Sequence, residues 1–133
     1  LVIRSIPDNL IHMPVIKPPP VLTFPVLVWL AGWLEGEGSF ICSGTTTKDM
    51  CFQIRGVSTD LDVIERVATA LKVDVGGPFY DKRPNRKPLY YANLPGKRAR
   101  DLMLQLYPLM GNRRQRQISD AITKYDSRFE SKD

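Results

Sequence analysis

The sequence predicts an α+β domain in which helices cover one face of an antiparallel sheet. Two observations carry that prediction. Apolar residues recur at helical spacing in some stretches and at period two in others, and the two kinds follow one another as helix, hairpin, helix, hairpin, helix, helix. The length of 133 residues suits one domain with one core and is too short for two. No internal repeat or low-complexity tract interrupts the pattern.

The first 24 residues carry Pro7, Pro14, Pro18, Pro19 and Pro20 without any helical or strand period, and read as an extended arm. A first helix is expected from Pro25, which suits a first-turn position, to about Glu35. Its apolar residues wrap most of the circumference, so burial nearly all round is expected. From Ser39 the period becomes two. Phe40 and Cys42, then Met50, Phe52 and Ile54, mark the core face of a hairpin that turns around Thr46–Asp49. Thr59, with Asp62 three residues on, is a candidate cap for a second helix whose inward positions are Leu61, Ile64, Val67, Ala68 and Leu71. Gly76-Gly77-Pro78 is expected to end that unit. A second hairpin should run from Phe79 to Arg83 and from Lys87 to Leu94, around Pro84-Asn85-Arg86. Two helices follow, Ala99–Met110 with Leu102, Leu106 and Leu109 inward, and Arg113 to about Tyr125 burying Ile118, Ala121, Ile122 and Tyr125. The expected division is therefore an arm over 1–24, one domain over 25–127 and a tail over 128–133.

Composition narrows the class. The chain is 43% hydrophobic and 25% charged with a net charge of +5, and the positive charge is clustered. Lys82, Arg83, Arg86, Lys87, Lys97, Arg98 and Arg100 stand against Asp81 alone, and Arg113, Arg114 and Arg116 form a second knot. Clustering with acids kept out favours a polyanion over general solubility. Cys42 and Cys51 lack the spacing of a disulfide framework and read as reduced thiols; with His12 as the one histidine, a zinc site through them is not expected. The apolar run Val26–Leu34 is about half the length of a membrane span, and no secretory pattern precedes it. A soluble, intracellular protein is expected, in a bacterial or phage cytoplasm or an organelle such as a mitochondrion, with no membrane partner and no small-molecule cofactor.

The stretch Leu30-Ala31-Gly32-Trp33-Leu34-Glu35-Gly36-Glu37-Gly38-Ser39 puts two carboxylates at the glycine-rich end of the first helix. Acids at a helix C-terminus oppose the dipole by roughly 0.3–1 kcal/mol each near a surface, and each glycine inside a helix costs up to about 1 kcal/mol against alanine. Gly32 and Gly36, four apart, expose bare backbone on one helical face and so permit close approach of a second helix. Two copies meeting there across a two-fold axis would set Glu37 beside its twin. Carboxylates so placed repel unless a divalent cation accompanies them.

These residues resemble the LAGLIDADG signature of homing endonucleases, with Glu at both acidic positions. The family's αββαββα core matches the element order from Pro25 to about Tyr125. The resemblance implies a site-specific endonuclease that makes a double-strand break in a long, roughly palindromic DNA target, hydrolysing phosphodiester bonds with Mg²⁺ or Mn²⁺ as a homodimer. It implies Glu37 as metal-ligating acid with the Gly36 carbonyl as co-ligand, Glu35 as a structural acid, and Arg113 or Arg114 as the basic residue near the active site. It also implies a dimer seam through Leu30, Gly32, Trp33 and Gly36. Many members carry a water-positioning Gln near the end of the second strand; here Gly56 takes that place, with Gln53 and Arg55 nearby.

Strand alternation assigns Ser43, Thr45, Gln53 and Arg55 to the face opposite Phe40, Phe52 and Ile54, where they can meet DNA. Arg and Gln suit bidentate reading of G and A in the major groove. Lys82, Arg83, Arg86 and Lys87 at the second hairpin's turn, with Arg116, are further DNA-contact candidates, the lysines toward phosphate. Two alternatives on the same fold are a non-cleaving DNA-binding regulator and an RNA maturase. Trp29 and Trp33 read as packing rather than base-stacking residues.

Overall fold

The computed structural model describes residues 22–46 and 50–130. The expected arm up to residue 21, the tip of the first turn and the last three residues lie outside the described residues. Helix α1 spans Phe24–Glu37 with Pro25 in its first turn. Strands β1 (Gly38–Ser43) and β2 (Cys51–Ser58) form the first hairpin, and α2 covers Leu61–Leu71. Strands β3 (Gly76–Phe79) and β4 (Leu89–Pro95) form the second. Helix α3 (Lys97–Leu106) runs through a 3₁₀ turn at Tyr107–Leu109 into α4 (Asn112–Glu130). The four strands pair antiparallel in the order β1-β2-β4-β3.

The sheet has two chemically different faces because side chains alternate. Phe40, Cys42, Phe52, Ile54, Ala92 and Leu94 turn inward and pack with the helical residues Leu30, Leu34, Ile64, Leu71, Met103, Leu106 and Ile118. The other face carries Ile41, Ser43, Gln53, Arg55, Tyr91 and Asn93, exposed or half-buried, and among the described residues no helix covers it. The α+β class with helices on one face of an antiparallel sheet is as the sequence predicts. Both cysteines are free thiols, and burial pushes the Cys42 thiol up. No helix among the described residues is long and apolar enough to cross a membrane.

Several local expectations are corrected. Helix α1 is not buried all round: Leu30, Ala31 and Leu34 are inside, whereas Phe24, Val26 and Val28 are 68%, 39% and 45% exposed. One chain covers only one stripe of that helix. The N-cap of α2 is Asp60, not Thr59; its N–H donates to Ser58 Oγ, and no side chain caps the helix. The strand expected over Phe79–Arg83 begins earlier, at Gly76, and runs through a cis Gly77–Pro78 bond. A positive φ of 102° at Gly77 and a register shift between Gly76 and Phe79 fit these residues onto an edge strand. Leu109 is 38% exposed, and Met103 and Met110 fill the interior there instead. Helix α4 continues to Glu130, past the end expected near Tyr125.

Candidate functional site

The C-terminal turn of α1 is built against the first turn of α4. A helix leaves its last carbonyls without intrahelical partners. Here Arg114 supplies them: its Nε donates to the Glu35 carbonyl at 2.9 Å and its Nη2 to the Gly36 carbonyl at 3.5 Å. Its Nη1 donates to Gln117 Oε1 at 2.9 Å, one turn along α4, which fixes the fork. Arg113 Nη2 reaches the Glu35 carbonyl at 3.5 Å. Arg114 is only 6% exposed. Burial foremost, then the neighbouring Arg113 charge, holds its pKa below the usual guanidinium range, while Glu35 and Glu37 pull the other way. An arginine under those influences stays charged at neutral pH.

The two acids of the motif are treated differently. Glu35 Oε1 accepts the Gly111 N–H, immediately ahead of α4, and Oε2 lies 3.9 Å from Arg114 Nε. The carboxylate that opposes the dipole of α1 thus sits at the positive end of α4. A Cβ on Gly111 would fall 2.6 Å from Glu35 Oε1, so a side chain there would push the carboxylate aside. Gly38 is similarly constrained: a Cβ there would lie 2.6 Å from Leu34 Cδ2 and 2.9 Å from the Leu34 carbonyl oxygen. Glu37 ends the helix, is exposed, and accepts no hydrogen bond from any described residue.

Hard oxygen donors suit Mg²⁺, which is commonly held by one or two carboxylates with substrate phosphates and water. The Glu37 carboxylate and the Gly36 carbonyl fit that chemistry. Among the described residues no group of three His, Cys, Asp or Glu side chains gathers in one place.

Gly32 and Gly36 are exposed, and a Cβ on either would meet nothing within 4 Å. Together with Phe24 and Val28 they form an i, i+4 row of bare or apolar surface along α1. Leu30, expected on the seam, is a correction: it is fully buried in the chain's own core and cannot reach a partner. Trp33 is half-buried against the sheet. A Cβ on Gly56 would fall 2.3 Å from its Cζ3, so the ring occupies the space a side chain at 56 would need. Trp29 carries the Arg66 guanidinium over its ring at 3.9 Å.

The open sheet face brings together Ser43, Gln53 and Arg55. Gln53 Nε2 donates to Ser43 Oγ at 3.1 Å, and Ser43 Oγ lies 3.3 Å from the Cys51 carbonyl. Arg55 lies over Tyr91. Thr45 departs from the expected alternation, because β1 ends at Ser43 and Thr45 sits in a bend beyond it. Lys82, Arg83, Arg86 and Lys87 are exposed between β3 and β4, and among the described residues Arg83 alone of them is ion-paired, to Asp81 at 2.7 Å. Arg116 is exposed on α4, with no hydrogen bond or ion pair linking it to the end of α1. Sequence reasoning missed Tyr91 and Asn93. Their signal was available, since both alternate with the buried Ala92 and Leu94.

No family model matches the sequence, and no curated protein matches it. Among solved structures, the fold matches the crystal structure of the homing endonuclease I-CvuI in complex with its target in the presence of 2 mM Ca. The TM-score is 0.58, with 84% of this chain and 74% of that chain covered at 15% identity. The likeness is one of fold: this chain shares the α+β architecture of that structure.

Proposed function

We propose that the protein is a site-specific DNA endonuclease acting as a homodimer, with one α1 helix from each copy at the interface and Glu37 from both at the active centre. The observation that carries this reading is the contrast within the motif. Glu35 is tied into the fold by Gly111 and Arg114, whereas Glu37, two residues on, is exposed at a helix end and accepts no hydrogen bond from any described residue. An acid kept where it opposes the helix dipole, next to the bare row of Gly32 and Gly36, is consistent with a role outside the single chain.

Glu37 and the Gly36 carbonyl would hold a divalent cation, Mg²⁺ or Mn²⁺. Such a cation supplies polarisation of the scissile phosphate and lowers the pKa of bound water. Arg114 fixes the end of α1, so that Glu37 departs from a rigid point, and it offsets the charge of both acids. Arg113, exposed beside it, is available to an approaching phosphate. The open sheet face, with Ser43, Gln53 and Arg55, and the loop carrying Lys82, Arg83, Arg86 and Lys87 would receive double-stranded DNA.

Glu37→Gln should abolish cutting while leaving specific DNA binding largely intact. The substrate comes from selecting cleaved sequences out of a random library with Mg²⁺ present. Cleavage of a supercoiled target by the variant would sink the assignment of Glu37, and a monomer on DNA by sedimentation would sink the dimer.

One observation favours a second reading, a DNA-binding protein that does not cut. The resemblance expects a water-positioning Gln at Gly56, and Trp33 fills the space where its side chain would begin. Adding Mg²⁺ to a protein–target complex and looking for cut product separates the two.

A further inference from the structure

Resting on the reading of the open sheet face as the DNA-facing surface, we propose that Tyr91 is a positioning residue that presents Arg55 to a single G·C base pair of the target. Strand β4 lies between β2 and β3, so Arg55 and Phe79 approach the Tyr91 ring from opposite sides. The Arg55 guanidinium carbon is 4.8 Å from the ring centroid. Phe79 stacks on the same ring at 5.3 Å between centroids, with planes 24° apart. Beneath the ring is Gly76, where a Cβ would fall 2.1 Å from Tyr91 Cζ. Tyr91 is thus walled in by its neighbours and is a poor platform for a base. Its effect is to hold the guanidinium.

The direct cross-strand neighbour of Arg55 is Asn93. The Asn93 Oδ1 is buried and accepts no hydrogen bond from any described residue, yet the guanidinium lies over Tyr91 instead of donating to it. Arg55 makes no side-chain hydrogen bond or ion pair with any described residue, and it is exposed. A planar fork of donors, held beside an aromatic ring and making no hydrogen bond to any described residue, matches the N7 and O6 acceptors that guanine offers in the major groove. Holding the fork beforehand reduces the side-chain freedom that binding would otherwise remove.

The test is selection of bound sequences from a random duplex library, followed by competition binding at fixed salt. The wild-type protein should select a G·C pair at one position per half-site, and replacing that pair should weaken binding about tenfold or more. Arg55→Lys keeps the charge but loses the fork, so it should bring the affinity ratio between the G·C pair and its replacement at that position to about one. Tyr91→Leu should lower the preference about two- to fivefold, the size of an exposed cation–π contact, and Tyr91→Phe should retain it. Phe79→Ala, at a residue 53% exposed, loosens the ring from its other side without threatening the core and should act in the same direction as Tyr91→Leu. The proposal is overturned if Arg55→Lys keeps the wild-type base preference, or if both Tyr91→Leu and Phe79→Ala match wild type. Salt-dependent DNA binding by the wild type with no selected G·C pair also overturns it, and leaves the DNA-binding reading standing. No salt-dependent binding to duplex DNA ends both.

Discussion

Two arginine-rich segments, Arg113–Arg116 at the start of α4 and Lys82–Lys87 between β3 and β4, look alike in sequence and do different work in the fold. Arg114 is 6% exposed and bonded to the Glu35 and Gly36 carbonyls of α1. The cations of the loop are all exposed, and among the described residues only Arg83 of them has a carboxylate partner. The first segment spends a charge on closing a helix end beside two acids; the second leaves its charges to solvent or to a ligand. Clustered positive charge therefore says that a polyanion is welcome, but not which cations meet it. Arg98 belongs with Arg114 in this respect, since its Nη2 donates to the Leu71 carbonyl at the end of α2 at 2.9 Å.

The sharpest way to break this contrast is to remove one cation from each segment and measure folding. Arg114→Ala removes the donor to the Gly36 carbonyl, leaves the Glu35 carbonyl only the longer contact from Arg113, and removes the charge beside Glu35 and Glu37. Charge-assisted hydrogen bonds contribute about 1.5–3 kcal/mol, and a loss of roughly 2–3 kcal/mol in a urea titration is expected, because water can solvate part of the helix end. Arg114→Lys should recover only part of that loss, since an ammonium cannot span the carbonyls as a planar fork does. A stability within experimental scatter of wild type for Arg114→Ala would remove the distinction between the two segments.

The second segment should answer to salt rather than to urea. The triple variant Lys82→Ala, Arg86→Ala, Lys87→Ala is expected to unfold at the wild-type midpoint. Its slope of log affinity against log salt should become shallower by about 0.9 for each phosphate that the variant no longer neutralises. An unchanged slope would mean that these exposed cations do not meet the backbone. A lowered midpoint would mean that the loop is a structural element after all.

The unequal legibility of the two segments has a physical cause. Period-two alternation made Phe40, Phe52, Ile54 and their opposite face readable, because a strand with one buried side must show it. The helical rows of α2 were readable for the same reason. Arg114 was identified as a cation near the site, but its burial depends on carbonyls 79 residues away in sequence, which no local pattern encodes. The start of edge strand β3 is not legible because Gly76-Gly77-Pro78 carries every local sign of a break, and only the pairing with β4 overrides it. Helix α1 was read as buried all round because a uniformly apolar helix gives no sign of which face its own chain covers. That uncovered face is where Leu30 and Gly32 part company, one inside the core and the other bare.

The smallest expected effect lies within the loop and asks whether Asp81 tempers it. Arg83 Nε and Nη2 donate to Asp81 Oδ2 at 3.1 and 2.7 Å, and the Arg83 N–H donates to Oδ1 at 3.0 Å. The side-chain bonds from Arg83 foremost, then its backbone N–H, hold the Asp81 carboxyl below the usual carboxylate range. With the folded pKa depressed, the pairing is present in full above the unfolded Asp value and is lost as pH falls through the folded one. A carbon-detected titration should therefore place the Asp81 midpoint below that of a free aspartate, and Arg83→Ala should return it upward. At neutral pH the pair holds Arg83 in one geometry and subtracts one unit from the charge of the loop. Asp81→Asn should accordingly tighten binding to unrelated duplex DNA modestly and steepen its salt dependence, with the unfolding midpoint unchanged. An ordinary Asp81 midpoint in the wild-type protein would show that the pair does not persist in water, and Arg83 would then join Lys82, Arg86 and Lys87 as a free cation.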